Sequence, residues 1–265
     1  MQSNGQLLST LTPHPALAGR TALVTGATSG IGEAIARVLA ASGATVAVHG
    51  RDEERADAVV SAVTAAGGKA HAVTGDLAGG HDQVRGLAER ATEVLGGRVD
   101  VLVNNAGLYP VSPTEAATDD DVDAMLAVNV RAPHVLVAAL APAMAERGDG
   151  AVVNIGSWMA RTGVPFGAMY TATKAALEQM TRTWAAEYGP RGVRAVTVAP
   201  GATATPGNAG SADAVAAMTS GTPAGVPVRP VDVARAVRWV VSEEGAFLHG
   251  SIIDVDGGIS ATRGA

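Results

Sequence analysis

The chain has 265 residues, 47% of them hydrophobic and 17% charged, which suits one large domain with a substantial buried core or two small ones. A net charge of −6 and an aromatic content of 3% exclude a nucleic-acid platform built on basic grooves or base stacking, and they offer nothing to an anionic membrane. Cysteine is absent, so disulfides, thiolate catalysis and cysteine-ligated metals are ruled out, and the six histidines show no metal-ligand spacing.

Taken in chain order, residues 1–18 are polar and proline-bearing, without the basic start and apolar stretch of a secretory signal. They read as a flexible tail before a single domain over 19–265. No apolar run approaches the roughly 20 residues needed to cross a bilayer, and the expected location is cytoplasmic. Short β-branched runs then alternate with alanine-rich helical patterns. Strands are expected at 21–25, 45–48, 70–73, 99–103, 151–155, 193–199 and 251–255, and helices at 31–41, 53–66, 82–95, 119–145, 169–188 and 231–243. The strands are continuous apolar runs, as in parallel strands covered on both faces. Gly43, Gly67, Gly96 and Gly189 stand where helices should end. The predicted fold is α/β: a Rossmann-type, doubly wound, seven-stranded parallel sheet with helices on both faces. The long irregular stretch 202–229 reads as a substrate lid, or else as a tolerated insertion.

Between the first strand and the first helix lies Thr25-Gly26-Ala27-Thr28-Ser29-Gly30-Ile31-Gly32. Glycines there permit a tight turn and a close approach of backbone to a pyrophosphate seated on the helix N-terminus. In that position the turn signals a dinucleotide site. The second strand ends Val48-His49-Gly50-Arg51, with Gly50 where an NAD site would place an acidic side chain. Arg51 can instead fork onto a 2′-phosphate, which argues for NADP over NAD. Its alternative partners are Asp52 and Glu53.

Of two lysines in the chain, Lys174 follows Tyr170 by four residues, and Ser157 precedes the tyrosine by thirteen, at the end of an apolar run. Positions i and i+4 share a helix face. A phenol titrates near 10, and a cation a few ångströms away lowers it. A tyrosine and a lysine on a solvated helix have the same spacing, so the surrounding motifs must decide.

Those motifs are Asp76-Leu77 after the third strand, Asn104-Asn105-Ala106-Gly107 after the fourth, Asn129, Ser157, Tyr170 to Lys174, Pro200-Gly201 and the tail at 254–258. With the glycine turn they make the chain resemble the short-chain dehydrogenase/reductase family over residues 18–258, in the manner of 3-oxoacyl-acyl-carrier-protein reductases. The resemblance implies that Tyr170 is the acid/base and that Ser157 donates to the substrate oxygen. Lys174 would bind the nicotinamide ribose and lower the phenol's pKa, and Asn129 would hold a relay water. Gly26, Thr28, Ser29, Gly30, Ile31 and Gly32 would cradle the dinucleotide. Asp76 and Leu77 would flank the adenine, with Asn105, Ala106 and Gly107 along the adenosine ribose and pyrophosphate. Pro200, Gly201, Thr203 and Thr205 would line the nicotinamide side, although the family usually carries Ile or Val where Thr203 stands. It further implies a homo-oligomer, a tetramer or dimer packed through helices 119–145 and 169–188.

Simpler readings make Asn129 a satisfier of backbone, Ser157 a turn cap and Asp76 an N-cap. Leu177, Met180, Trp184 and Tyr188 follow helical spacing and read as core or interface, and His49, His71, His81, His134 and His249 as surface or structural. Tyr109, Trp158, Met159, Phe166 and Met169 suggest an apolar pocket for a carbonyl or alcohol substrate. Arg161 either meets an acidic group or sits on a solvated turn. The other functions to weigh are an NAD-dependent alcohol dehydrogenase, an NADP-binding sensor without chemistry, and a nucleotide-binding methyltransferase.

Overall fold

The structure, a computed structural model, describes residues 4–9, 11, 15–110 and 112–262. In chain order it runs α1 (Asn4–Ser9), β1 (Thr21–Val24), α2 (Gly30–Ala41), β2 (Thr45–Gly50), α3 (Glu53–Ala65), β3 (Lys69–Thr74), α4 (His81–Val94) and β4 (Val101–Asn104). There follow α5 (Asp119–Leu126), α6 (Ala132–Arg147), β5 (Gly150–Ile155), α7 (Ala168–Tyr188), β6 (Val193–Pro200), α8 (Ala212–Ser220), α9 (Pro230–Val241) and β7 (Ile252–Val255). The seven strands form one sheet in the order β3-β2-β1-β4-β5-β6-β7, and every pairing is parallel. The predicted sheet is therefore present strand for strand.

Side-chain alternation explains why both faces are covered. In β1, Ala22 and Val24 join the core under α2 and α9, whereas Leu23 joins the opposite core under α4, α6 and α7. In β4, Val101 and Val103 face the first core and Leu102 the second. Each fully buried leucine or valine contributes about 1.5–3 kcal/mol of transfer free energy. Leu177, Trp184 and Tyr188 are buried in the second core with Met180 packed beside them, as their spacing suggested.

Two expectations need correction. Within 1–18, residues 1–3, 10 and 12–14 lie outside the described residues, but α1 is no loose tail: Leu7 and Leu8 are buried in the first core, and so is Leu17. Two adjacent leucines in a polar stretch gain more by docking on α2 and α9 than by staying in water. Nor is 202–229 an irregular loop, since it folds into a 3-10 turn (Pro206–Ser211) and α8. The helix α7 ends at Tyr188 with Gly189 as its C-cap, as expected, although that glycine keeps helical angles (φ −55°). The left-handed glycine is Gly192 (φ 82°), at the end of a 3-10 turn through Pro190.

The helix expected at 119–145 is continuous to Arg147, but it is interrupted by a π-helical turn at Ala127–Arg131. It alone among the described residues is long and apolar enough to cross a membrane, and 61% of its apolar window is buried inside the protein, the signature of a core helix.

Candidate active site at the carboxyl ends of the strands

The chain order reverses at β1, whose neighbours are β2 and β4. Loops leaving β1 and β4 therefore diverge, and a crevice opens between them, as in other open parallel sheets. Its volume is about 350 Å³. Gly26, Thr28, Ser29, Gly30, Ile31 and Gly32 line one wall, and Asn105, Ala106, Gly107, Leu108 and Tyr109 the other. Arg51, Asp76 and Leu77 stand at one end, and Thr205 and Gly207 also face the crevice.

The glycine turn is locked to the fourth strand. Thr25 Oγ1 donates to Val103 O (3.2 Å) and accepts from the N–H groups of Asn105 (3.0 Å) and Ala106 (3.1 Å). Asn105 Nδ2 donates to Thr25 O (2.8 Å) and Gly26 O (3.0 Å). Asn105 therefore shapes the turn from behind while its backbone lines the crevice. A Cβ at Gly32 would lie 2.2 Å from Gly26 O, so the helix and the turn can meet only at glycine. Ser29 precedes α2 without capping it through its side chain, which leaves first-turn N–H groups free for an anion.

Gly50 explains the missing acidic residue. A Cβ there would lie 2.3 Å from Thr28 Cγ2, so any side chain at that position would displace Thr28. Arg51 is exposed at the crevice and has Arg55 beside it, a residue the sequence motifs do not single out. The signal that could have found it is a second arginine in the first turn of α3, which follows directly on Arg51. Asp52 caps α3 by accepting from Arg55 N (3.1 Å), so the alternative partner of Arg51 is engaged with backbone. Asp76 does not cap a helix; its Oδ1 accepts from Ala78 N (3.0 Å) in the turn after β3.

His49 is more than a surface histidine. It is buried, its Nδ1 accepts from Gly26 N (3.2 Å), and its Nε2 faces Gly75 O at 3.1 Å. That pairing requires the neutral ring with the proton on Nε2. Burial lowers its pKa from 6.5 to about 4.

The four residues of the implied catalytic set converge beyond the crevice's far wall. Ser157 is buried after β5, accepts from Met159 N (3.2 Å) and hydrogen-bonds the Tyr170 phenol. Tyr170 lies in the first turn of α7. Lys174, buried one turn on, donates to Ile155 O (2.8 Å), with Nζ 5.9 Å from the centre of the Tyr170 ring. Asn129 sits in the π-turn; its Nδ2 donates to Leu108 O (2.8 Å) and Thr173 Oγ1 (3.1 Å), while Oδ1 accepts from Leu108 N (2.8 Å). Lys174 Nζ and Asn129 Oδ1 would each lie 3.4 Å from a Cβ at Gly107, so all three meet at one spot in the crevice wall.

The electrostatics differ from the simple expectation. Burial pushes the Tyr170 phenol above its ordinary value, opposed by the hydrogen bond with Ser157. Burial also lowers Lys174 to about 8. The ammonium is held by a backbone carbonyl rather than by the phenol, so the expected depression of Tyr170 by Lys174 is absent from this geometry. The ring of Tyr109 meets that of Tyr170 edge-on at 6.3 Å.

The residues after β6 are less well placed for the roles implied. Pro200 ends the strand, Gly201 N donates to Val255 O (3.0 Å), and Thr203 is buried with its hydroxyl donating to Gly201 O (2.8 Å). Of this group Thr205 alone lines the crevice. The acidic groups that Arg161 meets belong to the protein itself. The arginine forms a two-pronged contact with Asp254 of β7 and lies 3.3 Å from buried Glu178 of α7, tying the turn after Ser157 to both elements.

Comparison with known proteins agrees with the fold. The short chain dehydrogenase family matches residues 20–215. An uncharacterized oxidoreductase of Methylorubrum extorquens is 39% identical over 249 residues, covering 92% of this chain and 98% of the relative. A 3-oxoacyl-acyl-carrier-protein reductase of Thermotoga maritima is 32% identical over 92% of this chain and 98% of its own length. Among solved structures, a short chain dehydrogenase from Burkholderia cenocepacia in complex with NADP superposes with a TM-score of 0.85 at 39% identity, covering 93% of this chain and all of the other.

Proposed function

The chain belongs to the short-chain dehydrogenase family of oxidoreductases, and we propose that it is an NADP-dependent reductase of ketones, with Tyr170 as proton donor. The observation that carries the reading is the convergence of Ser157, Tyr170, Lys174 and Asn129 beside a glycine-walled crevice. The crevice fits a dinucleotide: glycines at 26 and 32 let the turn pack tightly on Ala106 and on the start of α2, and the first turn of α2 offers N–H donors to a pyrophosphate. Arg51 and Arg55 offer guanidinium groups for a 2′-phosphate, and Gly50, packed against Thr28, supplies no carboxylate to repel it. The solved relative with NADP supports the same choice.

When bound, NADPH supplies a hydride from nicotinamide C4. The chain's own groups handle the oxygen. Ser157 donates a hydrogen bond to the substrate carbonyl and stabilises its developing charge. Tyr170, protonated at neutral pH and pushed further toward that form by burial, gives its proton to the same oxygen. Lys174, whose proton becomes labile near pH 8, and Asn129 lie where proton return to the phenolate can begin. Tyr109, half exposed over Tyr170, forms an apolar edge for the substrate. The Thermotoga maritima relative favours the reductive direction over alcohol oxidation. In this reading the protein works as a homo-oligomer packed through α5, α6 and α7, a state that sedimentation velocity reads directly.

The test is the oxidation of NADPH and NADH, followed at 340 nm across a panel of ketones. A preference for NADPH of tenfold or more in kcat/KM is expected, from two cations facing one phosphate dianion. Preference for NADH would overturn the cofactor assignment, and absence of turnover with bound NADPH would favour a sensor.

A further inference from the structure

Resting on the dinucleotide reading above, we propose that Arg131 is a positioning residue for the adenosine half of the cofactor, acting through the loop that carries Asp76 and Leu77. Arg131 closes the π-turn, two residues after Asn129. One guanidinium nitrogen donates to the carbonyls of Ala78 (2.7 Å) and Gly79, just past the crevice-lining pair. Nε is buried without a hydrogen-bond partner, and among the described residues no carboxylate pairs with the group. A cation committed to two backbone oxygens and to no anion is not a surface ion pair. Its effect is to hold a tight turn closed: Gly79 N also donates to Asp76 O (3.3 Å), and Ala78 N to Asp76 Oδ1.

The same five-residue turn reaches both ends of the crevice. Asn129 grips Leu108 through backbone N–H and carbonyl, Val128 lines the wall, and Arg131 grips the loop after β3. A π-turn inserts one residue into a helix, which rotates every later side chain by about 100° around the axis. Arg131 touches neither Ser157 nor Tyr170 in any observed contact, so its loss should weaken cofactor binding and leave the chemistry intact.

The experiment compares Arg131→Met and Arg131→Lys with wild type. Calorimetry gives the Kd for NADPH, and kinetics are run with NADPH and with reduced nicotinamide mononucleotide, which lacks the adenosine half. Arg131→Met should raise the NADPH Kd about tenfold, from the loss of two charge-assisted bonds, with kcat at saturating NADPH and kcat/KM for the mononucleotide within about twofold of wild type. Arg131→Lys, able to hold one carbonyl, should fall between. Unchanged NADPH affinity in Arg131→Met overturns the proposal, as does an equal loss with the mononucleotide, which would make Arg131 a support for Asn129. If Arg131→Met does not fold, an unchanged Kd in Arg131→Lys overturns it and a raised one upholds it. Failure of wild type to bind NADPH would instead remove the dinucleotide reading, and this inference with it.

Discussion

The crevice between β1 and β4 and the segment 202–229 are both rich in glycine, serine and threonine, yet they are held in different ways. Around the crevice the side-chain bonds reach across the chain: Thr25 to Val103, Asn105 to Thr25 and Gly26, His49 to Gly26 and Gly75. In the segment they are mainly local. Asn208 accepts from Thr205 N and donates to Thr203 O, Thr219 donates to Val215 and Ala216, and Thr222 donates to Thr219. Long-range backbone bonds tie the segment down near its two ends, at Ala202–Ala204 with Val228 and at Ala224 with Gly257. Met218 and Val226 are exposed along it. A unit bonded to itself and pinned at its ends can move as a body, whereas a turn laced to three strands cannot. In the proposed reading, the first is a preformed cofactor site and the second a substrate cover.

Substitutions should sort the same way. The largest effect on cofactor affinity is expected at Gly32→Ala, whose Cβ would press 2.2 Å from a backbone oxygen. NADPH affinity should fall by about 100-fold, with a lower melting temperature, because backbone must shift. Titration of cofactor fluorescence reads this, and native affinity would show the turn to be pliable. Gly50→Asp comes next. Its Cβ would meet a threonine methyl at 2.3 Å, and its charge faces Arg51, so NADPH affinity should drop about tenfold while NADH affinity falls less.

His49 gives a pH signature of the laced region. Its folded pKa lies below the unfolded value of 6.5, at about 4, so the unfolded chain takes up a proton the folded one refuses. Stability is complete above pH 6.5 and declines as pH falls to 4, by up to about 3 kcal/mol from this group. Urea unfolding of wild type and His49→Asn at pH 7 and pH 4.5 isolates the contribution. Parallel losses in the two proteins would deny His49 that role. The smallest change is expected at Asn208→Ala in the segment. Removing this local brace should leave cofactor Kd unchanged and alter the KM for substrate by about threefold or less. A change in cofactor Kd matching that of Gly50→Asp would erase the distinction between the two regions.

The same contrast governs what the sequence could disclose. Apolar runs and glycine stops place seven strands, because strand and helix periodicities are local. Thr25 to Gly32, Asn105 to Gly107 and Tyr170 to Lys174 are short motifs at strand ends, and the structure brings them to one crevice and its rim. What escapes a sequence reading depends on contacts distant in the chain. Leu7 and Leu8 look like part of a tail because nothing local shows that α2 and α9 offer them a groove. The π-turn leaves no mark in composition, and the reach of Arg131 to Ala78 spans 53 residues. His49 reads as structural, which it is, but its grip on the glycine turn needs coordinates to be seen. Thr203 has the position of a cofactor contact, yet its hydroxyl is spent on Gly201.

The phenol of Tyr170 adjoins a crevice it does not itself shape, and Tyr170→Phe separates chemistry from binding most directly. With a ketone that wild type reduces, turnover should be lowered by about a thousandfold or more, the scale of a lost general acid. NADPH Kd in the same variant should stay within about twofold of wild type. Turnover within tenfold of wild type, with cofactor bound, would contradict the assignment of Tyr170 as proton donor.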